Sequence, residues 1–313
     1  MSPVVSPVVS PVVIAEAVRE ALADARPVVA LESTIFTHGL PRPRNVEVAL
    51  KAEDDLRAAG VEPATIGVLH GVPTVGLTAD QIRELAGDDD VIKVSLRDLP
   101  IAAAQRRSGG TTVAGTAFLA ARAGIAVFAT GGLGGVHRGA AETFDESADL
   151  PVLAQTPILM VSAGVKSILD VGASLERLET LSITLVGYRT TRFPGFYLAD
   201  SGFAIDYAVD DPQQAADLVR ARDSLGVPGA IVVANPVPAE HQLDPAEHDR
   251  VLGEALAAMD AEGIGGHDAT PYLLDRVQRA TEGRSLDVNV AVYENNVALA
   301  GAIAKALGDG PAG

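Results

Sequence analysis

Short apolar runs alternate along the chain with longer stretches that carry apolar residues on one face of a helix. The short runs predict the strands Val28–Leu31, Ala64–Leu69, Ile92–Ser95, Val127–Ala129, Ile158–Val161, Ile183–Val186 and Ala230–Ala234. The longer stretches predict the helices Ile14–Ala25, Asn45–Ala59, Ala79–Leu85, Thr112–Ala123, Ser167–Leu175, Pro212–Leu225, Pro245–Glu262, Pro271–Thr281 and Val288–Leu307. Because this alternation is typical of repeated β-α units, we expect a single three-layer α/β/α domain with a mostly parallel central sheet.

Two segments depart from the alternation. Ser-Pro-Val-Val occurs three times between Ser2 and Val13, and Pro at every fourth position excludes a helix. We therefore expect residues 1–13 to form an extended or disordered arm ahead of one domain spanning residues 14–310. The stretch Tyr188–Asp211, which contains several Gly and Pro residues, predicts an irregular connection. In α/β folds, long connections near the strand ends often cover the ligand site.

The composition narrows the class of protein. Hydrophobic residues make up 48% of the 313 residues, so a large core is available, but only 4% are aromatic. The formal net charge of −17 disfavours nucleic acid or an anionic membrane as the main partner, because both require a basic surface. An anionic metabolite would need a local cluster of positive groups and backbone N–H donors.

The absence of cysteine excludes disulfides, thiolate catalysis and zinc–thiolate sites. It also fits a reducing cytoplasm, which is where we expect the protein to act. No stretch reads as a signal peptide or approaches the roughly 18 apolar residues of a membrane helix, so we expect no membrane partner.

Lysine usage is the most informative chemical signal. The chain has only four Lys among its 24 basic residues, and two of the four interrupt apolar settings. Lys93 lies within a predicted strand, and Lys166 follows a buried strand at a turn. Of the basic side chains, Lys alone loses its proton at moderate cost and attacks a carbonyl as a Schiff-base nucleophile. The alternative is that Lys166 reaches the surface or forms an internal ion pair.

A glycine-rich segment, Thr130–Gly139, follows the strand Val127–Ala129. Glycine lets backbone N–H groups approach an anion closely, and His137 and Arg138 add positive charge. The segment matches neither a Walker A loop nor a dinucleotide fingerprint, so it is a weak signal alone.

Acidic residues come next along the chain. Asp145 and Asp149 are four residues apart and would share a face if they lay on one helix. With the neighbouring hydroxyl of Ser147 they suit Mg²⁺ or Mn²⁺, which prefer oxygen ligands and keep several waters. The alternative is that these acids complement the dipole at a helix start.

Glu32 follows the first long strand, at the sheet edge where open α/β folds place their ligands. A buried carboxyl there suits a general acid, although an ion pair with a buried base is the alternative. Two further positions are candidates for ligand contact. Gly109–Val113, which includes Thr112, precedes a helix and either offers N–H groups to a ligand or forms a capped turn. Asn289 interrupts the last helix and either reads a planar base or satisfies backbone groups.

Taken in order, these motifs resemble the pseudouridine-5′-phosphate glycosidase family, also called indigoidine synthase A-like. The resemblance covers roughly Val28 to Leu307. It rests on Glu32-Ser33-Thr34-Ile35, Lys93-Val94-Ser95-Leu96-Arg97-Asp98, Gly110-Thr111-Thr112-Val113, Ala129-Thr130-Gly131-Gly132, Thr143-Phe144-Asp145, Ser147-Ala148-Asp149-Leu150, Ala163-Gly164-Val165-Lys166-Ser167 and Val233-Ala234-Asn235-Pro236.

The resemblance implies reversible cleavage of the C–C glycosidic bond of pseudouridine 5′-phosphate to uracil and ribose 5-phosphate. It also implies a homotrimer of α/β/α subunits, each with one Mn²⁺ or a similar hard ion such as Mg²⁺. Lys166 would be the Schiff-base nucleophile, Glu32 the proton donor and Asp145 the metal ligand. The matching substrate contacts are Lys93, Thr112, Val113, His137, Ser147, Asp149 and Asn289.

Two other functions compete with this one. Some relatives occur beside pigment biosynthesis, which suggests a catalytically silent phosphosugar-binding accessory protein. Retention of Glu32, Asp145 and Lys166 argues against it, since binding alone needs no buried amine. A metal-dependent phosphoester hydrolase is the third option, but it has no use for a Schiff-base lysine and would need a second acidic cluster.

Overall fold

The computed structural model describes residues 12–264 and 269–308. These residues form two compact units, and the division between them falls between Ile125 and Ala126. The prediction of an α/β fold, with a mostly parallel sheet flanked by helices, is confirmed.

The first unit is built on a mixed sheet. Its strands are β1 (Val13–Ile14), β2 (Val28–Leu31), β3 (Glu62–Leu69), β4 (Val72–Val75), β5 (Ile92–Val94) and β6 (Gly109–Thr111). Its helices are α1 (Glu16–Ala23), α2 (Arg44–Ala58), α3 (Ala79–Gly87), α4 (Leu99–Gln105) and α5 (Val113–Ala123), together with a π-helical turn (Ile35–Gly39) and a 3₁₀ turn (Leu96–Asp98). β3 pairs in parallel with β2 and antiparallel with β4 and β6, while β5 pairs in parallel with β6.

The second unit carries a parallel sheet. Its strands are β7 (Val127–Ala129), β8 (Leu159–Ser162), β9 (Thr184–Tyr188), β10 (Ala208–Val209) and β11 (Ile231–Ala234), in the order β7-β8-β11-β9-β10. Its helices are α6 (Ala140–Thr143), α7 (Asp149–Leu153), α8 (Val171–Thr180), α9 (Pro212–Leu225), α10 (Pro245–Glu262), α11 (Ala269–Ala280) and α12 (Arg284–Gly308). β8 and β11 are buried at every position, which explains why Ser162 is their only polar residue.

Local sequence explains several helix ends. Thr112 caps α5, accepting a hydrogen bond from the Gly115 amide, and the helix ends at Gly124, whose φ of 88° suits glycine. Asp211 caps α9 in the same way, and Pro212 occupies its first turn. The long helix α12 packs against α9, β7 and β8, so its inward-facing positions lie close to the carboxyl end of β7.

Three expectations differ from the structure. Asp145 and Asp149 do not share a helix face, because Asp145 lies in a loop and Asp149 begins the short helix α7. The helix after Lys166 begins at Val171 rather than Ser167, because Asp170 caps it and residues 163–170 form turns. The short strands β4 and β6 and the helix α4 were not predicted, since each is too short to show a period. Most of the proposed Ser-Pro-Val-Val arm, residues 1–11, lies outside the described residues, and Val13 pairs with Thr74.

The residues that the structure describes contain no helix long and apolar enough to cross a membrane.

Candidate active site

The glycine-rich loop, residues 130–139, follows the carboxyl end of β7. Several of the predicted site residues of the second unit lie along it. Leu133 forms an isolated parallel bridge with Val165. Its amide donates to Gly164 O at 3.0 Å, and its own carbonyl accepts from the amide of Lys166 at 3.2 Å. The backbone of Lys166 is thereby tied to the loop, which joins two motifs that are separate in sequence.

Lys166 itself is half-buried. Within residues 12–264 and 269–308 its amine forms no ion pair or hydrogen bond. Of the two alternatives to a nucleophile, an internal ion pair is therefore not found in the described part of the chain. An amine that is partly shielded from water and unpaired is available for covalent chemistry.

Three side chains converge on the first two glycines of the loop. A Cβ added at Gly132 would lie 2.6 Å from Cδ2 of Phe196 and 3.3 Å from Cγ of Lys166. A Cβ added at Gly131 would lie 3.5 Å from Oδ1 of Asn289 and 3.7 Å from Cε2 of Phe196. Glycine is required at Gly132 because any side chain there would collide with the phenyl ring.

The same loop contacts two of the predicted sugar-phosphate residues. The Gly134 amide donates to the carboxylate of Asp149 at 3.0 Å, and the Asp149 amide donates to Oγ of Ser147 at 3.2 Å. A Cβ at Gly134 would lie only 2.3 Å from Oγ of Ser147. Asp149 is buried and Ser147 half-buried, so both are fixed in place against the loop backbone.

His137 and Asp145 face each other at the other end of the loop. The His137 amide donates to the Asp145 carbonyl at 3.0 Å, and the His137 Nδ1 and Asp145 Oδ2 atoms are 3.8 Å apart. The Asp145 side chain is about 34% exposed. Across the described residues there is no group of three or more His, Cys, Asp or Glu side chains suited to a metal. Hence a cation at Asp145 would keep most of its ligands as water or substrate oxygens, which suits a hard ion.

Two buried amides hold the start of the loop. Asn296 donates to the carbonyl of Thr130 at 2.8 Å and to that of Gly131 at 3.2 Å. Its own carbonyl accepts from Nδ2 of Asn235 at 3.0 Å, so each amide has a partner. Asn296 therefore satisfies backbone groups, whereas Asn289, seven residues earlier on α12, is half-buried beside Gly131. The alternative that a buried Asn satisfies backbone groups is thus found at Asn296, while the role of Asn289 in binding a base stays a prediction.

In the first unit, Glu32 lies directly after β2 and begins the strand-end turn, residues 32–39. Glu32 is 7% exposed, and the hydroxyl of Thr34 donates to its carboxylate. Ser33 is fixed by two hydrogen bonds. Its hydroxyl donates to Ile66 O at 2.6 Å and accepts from the amide of Thr111 at 2.7 Å. The turn is thus anchored to β3 and β6, and Glu32 is held at a defined strand end.

Lys93 differs from its expected setting. It lies on β5 and is exposed rather than enclosed by apolar residues. Its charge nevertheless acts on the strand-end turn. The pKa of His38 is lowered, chiefly because burial disfavours the charged ring and also because the positive Lys93 lies nearby. Lys93 is therefore a charged neighbour of the strand-end turn rather than a buried amine.

Thr112 and Val113 lie at the junction of β6 and α5. The hydroxyl of Thr112 caps the helix, and its amide donates to Val94 O at 2.9 Å. Val113 is 3% exposed. Both the hydroxyl and the amide of Thr112 therefore already have hydrogen-bond partners, as expected for a capped turn.

The sequence analysis missed Phe196. It lies in the predicted irregular connection, is 3% exposed and has a left-handed φ of 62°. A signal was present, since Phe193, Phe196 and Tyr197 fall within five residues of a chain that is only 4% aromatic. The hydrogen bonds of Asn235 and Asn296 were not predicted either, because the sequence does not show which groups these amides meet.

Comparison with known proteins supplies the family. The model of the indigoidine synthase A-like protein family matches residues 17–306. The chain belongs to this family.

Relatives agree over nearly the full length of the chain. A protein of Saccharopolyspora erythraea named pseudouridine-5′-phosphate glycosidase is 66% identical over 282 residues, covering 90% of this chain and 93% of the relative. A protein of Frankia alni with the same name is 59% identical, covering 91% and 79%.

Among solved structures, the prealnumycin C-glycosynthase AlnA in complex with ribulose 5-phosphate is 37% identical, with a TM-score of 0.88. The match covers 95% of this chain and 96% of that one. An indigoidine synthase A-like protein of Thermotoga maritima is 36% identical, with a TM-score of 0.84, covering 94% and 96%. In the second unit, the glycine-rich loop is our candidate for the active site, because Lys166, Asn289, Ser147 and Asp149 all lie close to it.

Proposed function

We propose that the chain is an enzyme that reversibly cleaves the C–C glycosidic bond of pseudouridine 5′-phosphate, giving uracil and ribose 5-phosphate. One observation carries this activity: a relative named for it is 66% identical over 90% of the chain. The structural neighbour named as a C-glycosynthase, with ribulose 5-phosphate bound, supports the same type of bond and a phosphorylated pentose as ligand.

The bond itself dictates which groups are needed. The leaving atom is a carbon of the uracil ring, which has no lone pair to accept a proton, so simple acid-assisted departure of the base is poor. Covalent catalysis by an amine divides this difficult step into easier ones. Lys166 is our candidate nucleophile because its half-buried amine has no partner among the described residues.

In the direction of cleavage, the amine attacks C1′ and the C1′–O4′ bond breaks, the ring oxygen taking a proton. Protonation of the uracil carbon then allows the C–C bond electrons to return to the base, while the nitrogen lone pair forms the C1′=N bond. Water hydrolyses this Schiff base to release ribose 5-phosphate and the free lysine. Synthesis follows the same steps in reverse.

We assign the proton donor to Glu32. Its carboxyl is buried and accepts a hydrogen bond from Thr34, so it is held in one orientation at the strand end. A positioned carboxyl that gives and takes one proton supplies about 10² to 10⁴-fold in rate.

The loop around Gly134 suits the sugar phosphate. Ser147 and Asp149 are held against its backbone, and His137 lies further along it. For Lys93, on β5 of the first unit, contact with the substrate stays a prediction from the family resemblance. For the base we propose Asn289, whose amide both donates and accepts. The roles of Thr112 and Val113 in the first unit stay predictions from the family resemblance.

Asp145 would hold one hard divalent cation, Mn²⁺ or Mg²⁺, mainly through waters, since no three-residue metal cluster occurs among the described residues. When bound, such an ion would neutralise negative charge on the substrate. Cytoplasmic location and assembly as a homotrimer are also proposals, suggested by the family resemblance. Sedimentation analysis of the purified chain would test the trimer.

The experiment that tests the activity is direct. The purified protein is incubated with uracil, ribose 5-phosphate and Mn²⁺, and pseudouridine 5′-phosphate is followed by mass spectrometry. Product formation that depends on both substrates is expected. If the protein binds ribose 5-phosphate but forms no product in either direction, it is the phosphosugar-binding accessory protein instead.

A further inference from the structure

Phe196 is a large apolar side chain that lies close to both glycines at the start of the glycine-rich loop. Its Cε2 atom lies within 4 Å of the Cβ positions of both Gly131 and Gly132. The Cβ position of Gly131 is also 3.5 Å from Oδ1 of Asn289, and the Cβ position of Gly132 is 3.3 Å from Cγ of Lys166. The phenyl edge therefore lies beside the residue proposed for the base and also beside the residue proposed for the sugar.

The backbone holds this ring in an unfavourable conformation. Phe196 has a φ of 62°, a left-handed conformation that a bulky side chain rarely adopts. The conformation is held by a hydrogen bond from its amide to Ala163 O at 3.1 Å, three residues before Lys166. The ring also packs edge-on against Tyr197, with 4.7 Å between centroids. A strained residue fixed from several sides is common at ligand sites.

We infer that Phe196 forms the apolar wall against which the pyrimidine base packs, and so helps to determine which base is accepted. This inference rests on the proposed function. The ring lies near the Cβ positions of both glycines, and Asn289 and Lys166 each lie near one of the same two positions. Asn289 would read the polar edge of the base, and the phenyl group would contact its apolar surface, a division of labour common in pockets for planar ligands.

The chain offers a matched control in Phe193. It lies in the same connection, is fully buried and packs against Gly164, 3.0 Å from the Cβ position of that glycine. It contacts neither Gly131 nor Gly132 among their nearest neighbours. Phe193→Leu and Phe196→Leu remove similar atoms from one segment, so they separate loss of stability from loss of base binding.

The test uses the two half-reactions of the proposed mechanism. For the base, KM for uracil is measured with saturating ribose 5-phosphate. For the sugar, borohydride trapping of ribose 5-phosphate on the protein is measured without uracil, by intact mass. Loss of an aromatic contact with a base is worth roughly 1–3 kcal/mol, so we expect Phe196→Leu to raise KM for uracil about tenfold. Trapping should stay within twofold of wild type, and Phe193→Leu should change KM by less than twofold.

If Phe196→Leu does not fold, Phe196→Met keeps an apolar side chain of similar volume and should show the same rise in KM. An unchanged KM for uracil in a folded variant would overturn the inference. So would a parallel loss of trapping, because the ring would then serve Lys166 rather than the base. A wild type that makes no product overturns the proposed function itself, whereas an active wild type with an equally active variant overturns only the role of Phe196.

Discussion

The strand-end turn of the first unit and the glycine-rich loop of the second hold their polar groups by opposite means. In the turn, the Ser33 hydroxyl fills a space between backbone groups and hydrogen bonds to two of them. In the loop, Gly132 and Gly134 have no side chain, so Ser147, Asp149 and Phe196 can approach the backbone. The turn should therefore be sensitive to the removal of atoms, and the loop to their addition.

The largest effect is expected at Lys166, the proposed nucleophile, whose amide is hydrogen-bonded to the loop. Lys166→Ala should lower turnover by about 10⁴-fold or more and abolish borohydride trapping, because the proposed Schiff base forms on this amine. Lys166→Arg should be equally inactive, since its guanidinium does not lose a proton. Lys51→Met, on α2 and paired with Asp55 at 2.6 Å, is the control and should remain active. A sugar adduct that persists in Lys166→Ala would remove Lys166 from the mechanism.

In the turn, Glu32→Gln tests the proton donor without changing the shape of the side chain. We expect a fall in kcat of about 10² to 10⁴-fold with the thermal unfolding midpoint nearly unchanged. Because Gln still accepts a hydrogen bond from Thr34, the local structure should be retained. Steady-state kinetics and a melting curve are sufficient. Full activity in the variant would show that the proton comes from elsewhere.

Adding one methyl group to the loop is the next test. In Gly134→Ala the new Cβ would lie 2.3 Å from Oγ of Ser147 and 2.6 Å from Oδ2 of Asp149, so both must move. A displacement of this size at a binding group costs about 10²-fold in kcat/KM. The matched control is Gly253→Ala on α10, where nothing lies within 4 Å, and it should be active and slightly more stable. Equal activity of the two variants would contradict the account of the loop.

Removing one atom from the turn should act mainly on stability. Ser33→Ala deletes the hydroxyl that accepts from the Thr111 amide and donates to Ile66 O. A buried amide left without an acceptor costs about 1–3 kcal/mol in the free energy of unfolding. Urea unfolding of the variant and of the wild type measures this loss in the free energy of unfolding. A loss well below 1 kcal/mol would indicate that another group replaces the hydroxyl.

The smallest effect concerns the charge of His38. Because burial and Lys93 both disfavour the protonated ring, its pKa lies below the usual 6.5 and the ring is neutral at pH 7. Lys93→Met should raise the pKa of His38 only in part, since burial is the larger cause and remains. Lys51→Met should leave it unchanged. Titration of the imidazole signals by NMR measures the shift, and an unchanged pKa in Lys93→Met would mean that the two groups do not interact.

The sequence predicted regular elements best where their pattern was long. Pro212–Leu225 and Pro245–Glu262 were given their observed bounds, because an aspartate cap and a proline mark each start and a glycine follows each end. The pattern failed where an element is short. The strand Gly109–Thr111 has two glycines and no alternation, and it forms only because β3 and β5 supply hydrogen-bond partners.

The candidate site divides in the same way. Lys166, Glu32 and Asp145 could be selected from the sequence because their chemistry is unusual for their surroundings. Phe196 could not, since an aromatic residue in an irregular connection resembles any core residue until its neighbours are known. The surroundings of Lys93 were misjudged because apolar residues adjacent in sequence point to alternate faces of a strand, and one face of β5 is open.

The sequence by itself determined the α/β class and the family and supplied the candidates for reactive groups, because these depend on local periodicity and on residue type. The tertiary structure decided which of those groups meet. The need for glycine at Gly132 and Gly134 follows only from the side chains that lie against them. These side chains are distant in sequence, as Phe196 is from Gly132. Close packing is a property of the folded chain, and no local pattern encodes it.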